Sequence, residues 1–502
     1  MQVEFLADEY WWGGNVHDGV NMPYDSSCNV TVDLSLNTSN QSSGLFVSSK
    51  GRYFYDDEPY TISFKYGSII TDREISFSEG HCNLKGAYLA AMKKYFPFNG
   101  TSPNELFFAK PQYNTWIALN HNQTENGILY YVNAILGLGL PPGILMIDSC
   151  WERFFGDLDF DRGRFPNPKE MIDKLHKLGF KVMLWISPCI SPDTTVFRSL
   201  RNTDIIIRDK DNNPAIRKWW DGYSAVLDLT NPKACEWFSD KLNYLRQAYG
   251  IDGFKLDGGD TYFYKADDLT FVKGSPQSQI KAFAQFAQQF EFNELRMAWN
   301  NGGSPLVMRL ADKQHSWDGY GLNMLIPNTF VQGLTGYSYC CPDMIGGGEY
   351  MQFNSRADSL DAELFVRYAQ TCALMPMMQY SALPSCLKDE KAVSLIVEAA
   401  HIRENYSDYI IETVKQCAKS GEPIMRPLAY SFPDGEFEQT KDMFMLGDSL
   451  LVAPVTKKGV TEITVVLPDG EWKYVPTGEI YNGGICTVPA GIEILPHFEK
   501  IL

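Results

Sequence analysis

The feature that most limits the fold is a long alternation of apolar runs and amphipathic helices between residues 106 and 425. The pattern predicts strands at 143–148, 181–186 and 253–257, and helices at 167–179, 235–249 and 277–290. Strands that alternate with helices are joined by right-handed crossovers and form a parallel sheet. Because no glycine-rich phosphate loop stands at a strand–helix junction, this region is predicted to close into a (β/α)8 TIM barrel rather than an open sheet.

Two β-rich segments flank the predicted barrel. Residues 1–105 contain short alternating runs, such as 30–34 and 60–64, separated by Asn, Ser, Gly and Asp clusters. This pattern is typical of an antiparallel β-sandwich. The helical pattern stops near residue 426, and strand-like runs return. The sequence therefore predicts a multidomain α/β protein, with an N-terminal β-sandwich at 1–105, a barrel at 106–425 and a C-terminal β domain at 426–502.

Charge and composition restrict the class of partner. The 502 residues carry a net charge of −17, whereas nucleic acids and anionic membranes attract positively charged surfaces. No run of 18 apolar residues is present to span a membrane. Aromatic residues make up 14% of the chain, which suits a cleft that stacks against sugar rings. We expect a neutral oligosaccharide or glycoside substrate, with no nucleic acid or membrane partner, and a homo-oligomer is compatible with these observations.

The cysteines and the N-terminus bear on the cellular compartment. Eleven cysteines are scattered without Cys-x-x-Cys or Cys/His spacing, so neither a disulfide framework nor a metal site is predicted. No cofactor is expected either. Residues 1–9 lack the basic and apolar stretches of a signal peptide. The sequence therefore predicts a cytoplasmic protein in a reducing compartment.

Polar side chains follow the predicted strands. Asp148, Ser187, Asp228 and Asp257 each come after an apolar run, and the carboxyl ends of barrel strands face one cleft. Asp257 is followed by two glycines, so a simple turn is the alternative interpretation of that residue. Three carboxylates and the Trp185 indole, without a histidine cluster, favour acid/base and nucleophilic chemistry on a glycosidic bond. A serine hydrolase is disfavoured, since no Gly-x-Ser-x-Gly turn is present.

The run Phe-Lys-Leu-Asp-Gly-Gly-Asp at 254–260 resembles the nucleophile strand of glycoside hydrolase family 31. Further segments resemble that family in the same order, at 146–151, 160–166, 175–179, 228–232, 341–347 and 443–455. The resemblance implies a retaining α-glycosidase with an N-terminal β-sandwich, a catalytic barrel and C-terminal β domains. It also implies that Asp257 is the nucleophile of a double-displacement reaction.

Two aspartates compete for the acid/base role. In the family an arginine precedes the acid/base aspartate by sixteen positions, and Arg296 and Asp312 match that spacing. Asp318 is the rival, because the family often carries Trp-x-Gly-Asp around its acid and the sequence here reads Ser-Trp-Asp-Gly at 316–319. We favour Asp312. The run 309–312 also resembles the branch of the family that contains the myogenesis-regulating glycosidase.

The resemblance implies further substrate contacts. Asp148 would accept hydrogen bonds from hydroxyls remote from the anomeric carbon, with turn formation as the alternative. Arg296 would hold a hydroxyl, with a structural ion pair as the alternative, and Lys255 would pair with the nucleophile or a hydroxyl. Aromatic walls are predicted at Trp151, at Trp185 and at Trp219 or Trp220, where the sequence leaves open which of the pair faces the cleft; tryptophan is also common in barrel cores.

Ser381 bears on the identity of the sugar. Typical α-glucosidases of the family have a histidine at this position, whereas the branch named above shares the runs at 342–347 and 378–381. The prediction is an exo-acting enzyme that hydrolyses terminal α-linked hexose, with α-galactosidase favoured over α-glucosidase. An α-glucan lyase, or a catalytically silent carbohydrate-binding or scaffold protein with this fold, remains as an alternative.

Overall fold

The computed structural model describes residues 1–36, 38–355 and 359–501. Within them, antiparallel N-terminal sheets precede an eight-stranded parallel barrel, and an antiparallel sheet follows it. The predicted multidomain α/β architecture is therefore confirmed. The boundaries near residues 105 and 425 stay predictions.

Two four-stranded antiparallel sheets form the N-terminal region. Their strands are β1 (Gln2–Glu4), β2 (Trp11–Asn15), β3 (Asn29–Asp33), β4 (Ser42–Ser48), β5 (Tyr53–Tyr55), β6 (Thr61–Lys65), β7 (Ser68–Thr71) and β8 (Ser76–Ser78), followed by helix α1 (Leu84–Tyr95). One sheet has the order β1-β7-β6-β3 and the other β2-β4-β5-β8. Phe46 on β4 and Phe64 on β6 lie 5.7 Å apart between ring centroids, so the two sheets share an aromatic core.

The barrel is built from parallel strands in the central region. The strands of this region are β9 (Gln112–Asn114), β10 (Ile144–Ile147), β11 (Lys181–Ile186), β12 (Cys189–Ile190), β13 (Ile216–Trp219), β14 (Gly222–Val226), β15 (Gly253–Leu256), β16 (Phe292–Leu295), β17 (Val307–Arg309), β18 (Cys340–Cys341) and β19 (Gln379–Tyr380). Eight of them pair in the order β18-β17-β16-β15-β11-β10-β9-β19. Across the remaining seam, the Ile345 amide donates to the Gln379 carbonyl at 2.8 Å.

Helices surround the barrel, and two short ones lie near the ends of its strands. They are α2 (Leu106–Ala109), α3 (Trp116–Leu119), α4 (Glu125–Gly137), α5 (Pro168–Lys177), α6 (Thr195–Leu200), α7 (Pro232–Tyr249), α8 (Pro276–Ala287), α9 (Leu325–Leu334), α10 (Tyr350–Ser355), α11 (Ala362–Ala373), α12 (Glu390–Asn405) and α13 (Ser407–Ser420). Helix α7 shows why they form where they do, since the Asn231 side chain caps its start and Gly250, at φ 83°, ends it. Among the described residues, no helix is long and apolar enough to cross a membrane.

A hairpin outside the barrel corrects one expectation. Strands β12, β13 and β14 form a separate antiparallel sheet between β11 and α7. Asp228, expected at the end of a barrel strand, follows β14 of this hairpin instead. Its carboxylate accepts hydrogen bonds from the Phe271 amide at 2.6 Å and from Gln279 Nε2 at 2.7 Å. Asp228 is therefore a buried anchor for neighbouring loops and does not join the cleft.

The C-terminal region is a six-stranded antiparallel sheet. It contains β20 (Met425–Arg426), β21 (Phe444–Leu446), β22 (Leu450–Val452), β23 (Glu462–Tyr474), β24 (Ile480–Pro489) and β25 (His497–Lys500), with the short helix α14 (Leu428–Ser431) after β20. The strand order is β20-β21-β22-β25-β23-β24. Trp472 and Phe498 are fully buried in its core.

Candidate active site

A cavity of about 440 Å³ opens where the barrel strands end. Seven of the residues singled out from the sequence line it, namely Asp148, Trp185, Trp220, Lys255, Asp257, Arg296 and Asp312. Asp148 follows β10, Asp257 follows β15 and Arg296 follows β16, so the parallel strands bring distant parts of the chain to one place. Functional groups of barrel proteins gather at this face.

Asp257 is held by three donors. Its Oδ1 accepts hydrogen bonds from Arg296 Nε at 3.0 Å and from the Gly258 amide at 2.8 Å. Its Oδ2 accepts one from Trp185 Nε1 at 3.1 Å. Gly258 and Gly259 adopt φ values of 73° and 71°, a region that favours glycine, which explains the pair after the carboxylate. The carboxylate is thereby fixed at the edge of the cavity.

The charges around Asp257 favour its ionised form. Burial alone would raise the pKa of Asp257, but the cationic Arg296, Lys255 and Arg309 outweigh burial and hold this pKa below its usual range. At neutral pH the group is therefore a carboxylate. Such a group can act as a nucleophile at an electrophilic carbon.

Lys255 forms a buried ion pair with Asp148. Its Nζ donates to Asp148 Oδ2 at 2.6 Å, and both side chains are almost fully buried. Burial lowers the pKa of Lys255, but the Asp148 carboxylate outweighs it, and the net shift is upward. The sequence interpretation paired Lys255 with the nucleophile or a hydroxyl. Its direct partner is Asp148, and it acts on Asp257 through its charge.

Asp312 lines the same cavity and contacts a buried arginine. Its Oδ1 accepts a hydrogen bond from Arg309 Nη1 at 2.8 Å. The Asp312 side chain is 38% exposed, compared with 12% for Asp257, so it is the more accessible carboxyl of the two. Arg309 Nη1 also lies 2.9 Å from Asp343 Oδ1, and Arg309 Nε lies 3.5 Å from Glu294 Oε1. The sequence interpretation did not single out Arg309.

Asp318 does not reach this cavity. Its Oδ1 accepts hydrogen bonds from Ser316 Oγ at 2.8 Å and from the Tyr320 amide at 2.9 Å, in a local turn at the surface. Of the two candidates for the acid/base, the structure therefore brings Asp312 together with Asp257.

Of the four candidate tryptophans, Trp185 and Trp220 line the cavity, and Trp151 and Trp219 do not. Trp151 is fully buried, and its indole donates to the Trp185 carbonyl at 2.7 Å. Trp219 stacks on Trp185, with 6.4 Å between ring centroids. Trp151 and Trp219 therefore pack against Trp185 and do not form the cavity wall. Trp220 lies on the cavity wall, and the centroid of its ring is 5.6 Å from Arg296 Cζ.

The prediction that Ser381 binds substrate is also wrong, because Ser381 is fully buried and does not line the cavity. Its Oγ accepts a hydrogen bond from the Ile117 amide at 2.7 Å. Ile117 belongs to helix α3, whose first residue, Trp116, lines the cavity. Ser381 can therefore influence a bound molecule only through the position of this helix.

Several cavity residues are not singled out from the sequence, although four of them lie within the runs that resemble the family. They are Ser39, Trp116, His121, Ser149, Asp221, Asp260, Tyr262, Arg309, Ala311, Glu349 and Tyr350. Trp116 comes two residues after the end of β9, so the strand-end rule could have found it. Tyr350 packs edge-on against Trp116, with 4.9 Å between ring centroids, but it begins helix α10 and carries no comparable signal.

Models of known protein families match most of the chain. The model described as the glycosyl hydrolases family 31 TIM-barrel domain matches residues 112–412. The model of the glycosyl hydrolase family 31 C-terminal domain matches residues 421–500.

Individual relatives agree with these matches. The myogenesis-regulating glycosidase of Mus musculus is 31% identical over 401 residues, covering 78% of this chain and 56% of the relative. The 1,3-alpha-isomaltosidase of Kribbella flavida is 28% identical over 372 residues, covering 67% and 50%. The chain thus spans about half the length of these two relatives. A crystal structure of a GH31 alpha-xylosidase from a soil metagenome superposes with a TM-score of 0.83 at 20% identity, covering 99% of this chain and 79% of that one.

Proposed function

This chain belongs to glycosyl hydrolase family 31, and we propose that it is a retaining, exo-acting α-glycosidase. The observation that supports the proposal is a single cavity lined by both the ionised Asp257 and the more exposed Asp312. Cleavage of a glycosidic bond with retention uses two carboxyl groups in different environments. The buried Asp148–Lys255 pair also lines this cavity, where it can bind the hydroxyls of a terminal sugar.

The proposed reaction is a double displacement. The Asp257 carboxylate attacks the anomeric carbon while Asp312 protonates the leaving oxygen, so a glycosyl ester forms as the glycosidic bond breaks. Water then attacks the same carbon and loses a proton to Asp312, which frees Asp257 and releases the sugar with its α configuration retained. Arg296 and Trp185 orient the two Asp257 oxygens, and Arg309 positions Asp312.

For the sugar, we propose that terminal α-galactoside is favoured over α-glucoside. The support is Ser381, which stands where the resemblance places a histidine in typical α-glucosidases. Ser381 binds the Ile117 amide beside Trp116, so a larger ring at this buried position would displace a wall of the cavity. The α-glucoside is the direct competitor, because one relative is a 1,3-alpha-isomaltosidase.

Kinetics on 4-nitrophenyl α-glycosides test the activity. We expect a higher kcat/KM on the α-galactoside than on the α-glucoside, and a loss of activity on the order of 10⁴-fold or more in Asp257→Ala, because no nucleophile remains. Proton NMR of the reaction should show the α-anomer of the product first. A higher kcat/KM on the glucoside would overturn the sugar preference, and initial release of the β-anomer would overturn the retaining mechanism.

A matched pair of variants tests the acid/base assignment. Asp312→Ala should cripple hydrolysis of substrates with poor leaving groups, which need protonation, and affect activated ones less. Azide should partly restore its activity, because a small anion can attack the glycosyl ester without general-base help. Asp318→Ala is the control, and we expect kinetics near those of the wild type. The assignment to Asp312 fails if Asp318→Ala gives the leaving-group dependence and the azide rescue instead.

A further inference from the structure

The tip of the β13–β14 hairpin carries a carboxyl group that the proposed mechanism does not use. Trp219 on β13 pairs with Gly222 on β14, so Trp220 and Asp221 form the two-residue turn between the strands. Both turn residues line the cavity. The hairpin therefore contributes an aromatic face and an acidic group to the wall beside the nucleophile.

Among the described residues, Asp221 forms no ion pair with a lysine or arginine, unlike Asp148, Asp257 and Asp312. Asp148, Asp257 and Asp312 each lie within 3.0 Å of a lysine or arginine nitrogen. Asp221 Oδ2 is buried and has no hydrogen-bond partner in the described part of the chain. A buried acceptor without a donor destabilises a folded protein, so a donor supplied by a bound molecule would stabilise the complex.

Asp221 shares the cavity with Asp148 and Asp257. Burial raises the pKa of Asp221, and the charges of Asp148 and Asp257 raise it further, while His121 and the Trp220 indole offset part of the shift. The group is thus close enough to both carboxylates to respond to their charge. In the proposed reaction Asp257 attacks the anomeric carbon and Asp148 binds hydroxyls remote from it, so Asp221 lies in the wall of the same sugar site.

A purely structural role does not account for this carboxyl. Aspartates in turns commonly stabilise the turn by accepting a hydrogen bond from a backbone amide two residues further on. The buried Oδ2 of Asp221 accepts no such bond in the described chain. The two strands are held by their own ladder from Ile216↔Ala225 to Trp219↔Gly222.

We infer that Asp221 is a specificity-determining residue that accepts a hydrogen bond from a glycone hydroxyl remote from the anomeric carbon, at O4 or O6. This inference rests on the proposed function and refines its substrate class to neutral α-hexosides with that hydroxyl free. An analogue without the hydroxyl leaves a buried acceptor unpaired, which a site of this kind discriminates against strongly. Sugar acids and sulfonated sugars would bring a second negative charge to a carboxyl that has no lysine or arginine partner among the described residues.

Deoxy substrates test the inference directly. The kcat/KM of the wild type, Asp221→Asn and Asp221→Ala is measured on the 4-nitrophenyl α-galactoside and on its 4-deoxy and 6-deoxy analogues, or on the gluco series if the wild type prefers glucoside. We expect Asp221→Ala to lose about 10- to 100-fold on the parent hexoside, as for a hydrogen bond to a charged group. The loss should vanish on the analogue that lacks the contacted hydroxyl, which identifies O4 or O6. An equal loss on all three substrates would overturn the inference.

Two further measurements keep this test separate from the proposed function. Tyr223→Ala alters an exposed side chain of the same hairpin that does not line the cavity, and it should retain wild-type kinetics and thermal stability. If the wild type hydrolyses no α-glycoside, the proposed function fails, and sugar binding measured by saturation-transfer NMR then tests Asp221. The sugars compared are D-galactose and D-glucose with two deoxy forms, D-fucose, which is 6-deoxy-D-galactose, and 4-deoxy-D-glucose. Weaker binding of one deoxy sugar to the wild type, but not to Asp221→Ala, would support the inference, and any other pattern would overturn it.

Discussion

Arg296 and Arg309 each hold one of the two carboxyl groups proposed to catalyse the reaction. Arg296 bridges Asp257 at 3.0 Å and Asp260 at 2.7 Å, so its guanidinium is fixed from two sides. Arg309 is more deeply buried and contacts three carboxylates, Asp312 among them. The two arginines should therefore respond differently to mutation. Removal of Arg296 changes the charge beside Asp257 and leaves the contacts of Arg309 in place.

The pH dependence of activity should report on Arg296. As the proposed nucleophile, Asp257 must be ionised, and Arg296 is the largest cationic influence that lowers its pKa. In Arg296→Gln the pKa of Asp257 rises, so protonation inactivates the enzyme at a higher pH. We expect the acidic limb of the kcat/KM profile on an activated glycoside to move to higher pH, together with a lower maximum. If the acidic limb does not move, Arg296 does not control the pKa of Asp257. Arg162→Gln is the control, because Arg162 is exposed and donates to Tyr249 away from the cavity.

At the scale of elements, the barrel strands could be predicted because each is a short, unbroken apolar run. Strand β11 covers Lys181–Ile186, the same six residues predicted from the sequence, and α7 begins three residues before its predicted start. Continuous apolar runs are typical of parallel strands covered on both faces. The hairpin β13–β14 is not predicted, since β13 reads Ile-Arg-Lys-Trp and β14 reads Gly-Tyr-Ser-Ala-Val, and neither short strand has a strong apolar pattern.

The candidate site was predictable only where it follows barrel strands. Asp148 and Asp257 stand directly after such strands, so the topology alone brings them together. Trp219 and Trp220 are neighbours in the sequence, and only the position of the turn decides that Trp220 faces the cavity. Asp221 carries no strand-end signal at all. Its environment depends on how the hairpin folds over the barrel, which is a tertiary property.

The loop after β10 is organised around a buried carboxyl group. Glu152 Oε2 accepts hydrogen bonds from the Gly156 amide at 3.1 Å and the Leu158 amide at 2.9 Å. Burial raises the pKa of Glu152 from 4.5 to about 8. The folded protein therefore retains a proton that the unfolded chain has released between these two values. Its stability falls as the pH rises through this window.

Thermal unfolding of Glu152→Gln should show this linkage. Glutamine keeps an oxygen to accept both amide bonds and carries no charge, so it avoids the cost of ionising a buried group. We expect a Tm close to that of the wild type near the lower end of the window and above it when the pH exceeds about 8. Glu125→Gln, which changes an exposed acceptor of the Asn167 amide, is the control. A Tm difference that does not grow with pH would contradict the linkage.

At the scale of the whole molecule, the N-terminal sheets support the site from behind. Gln41, directly before β4, donates through Nε2 to the carbonyls of Arg296 at 2.7 Å and Arg309 at 2.8 Å. Gln332 on α9 donates in turn to Gln41 Oε1 at 3.0 Å. One side chain of the N-terminal region thus fixes the backbone of both arginines.

Two glutamines allow this support to be tested with a matched control. Gln277 on α8 also donates to two carbonyls between the barrel and the N-terminal region, those of Leu34 and Ser35, each at 3.0 Å. Both Gln41→Leu and Gln277→Leu should lower the free energy of unfolding by about 1–3 kcal/mol per unpaired carbonyl. Only Gln41→Leu should also lower kcat/KM, by roughly tenfold or more, because it displaces the two arginines. Equal kinetic effects would refute this role of Gln41.

The Gln41 contacts restrict how such a protein can be recombined. A chimera that joins this barrel to a foreign first domain keeps Asp257 and Asp312, because both follow strands of the barrel. It loses the anchor behind both arginines unless the incoming domain presents an amide at the same place. We therefore expect an exchanged first domain to preserve activity only if it brings a carbonyl-binding amide to this position.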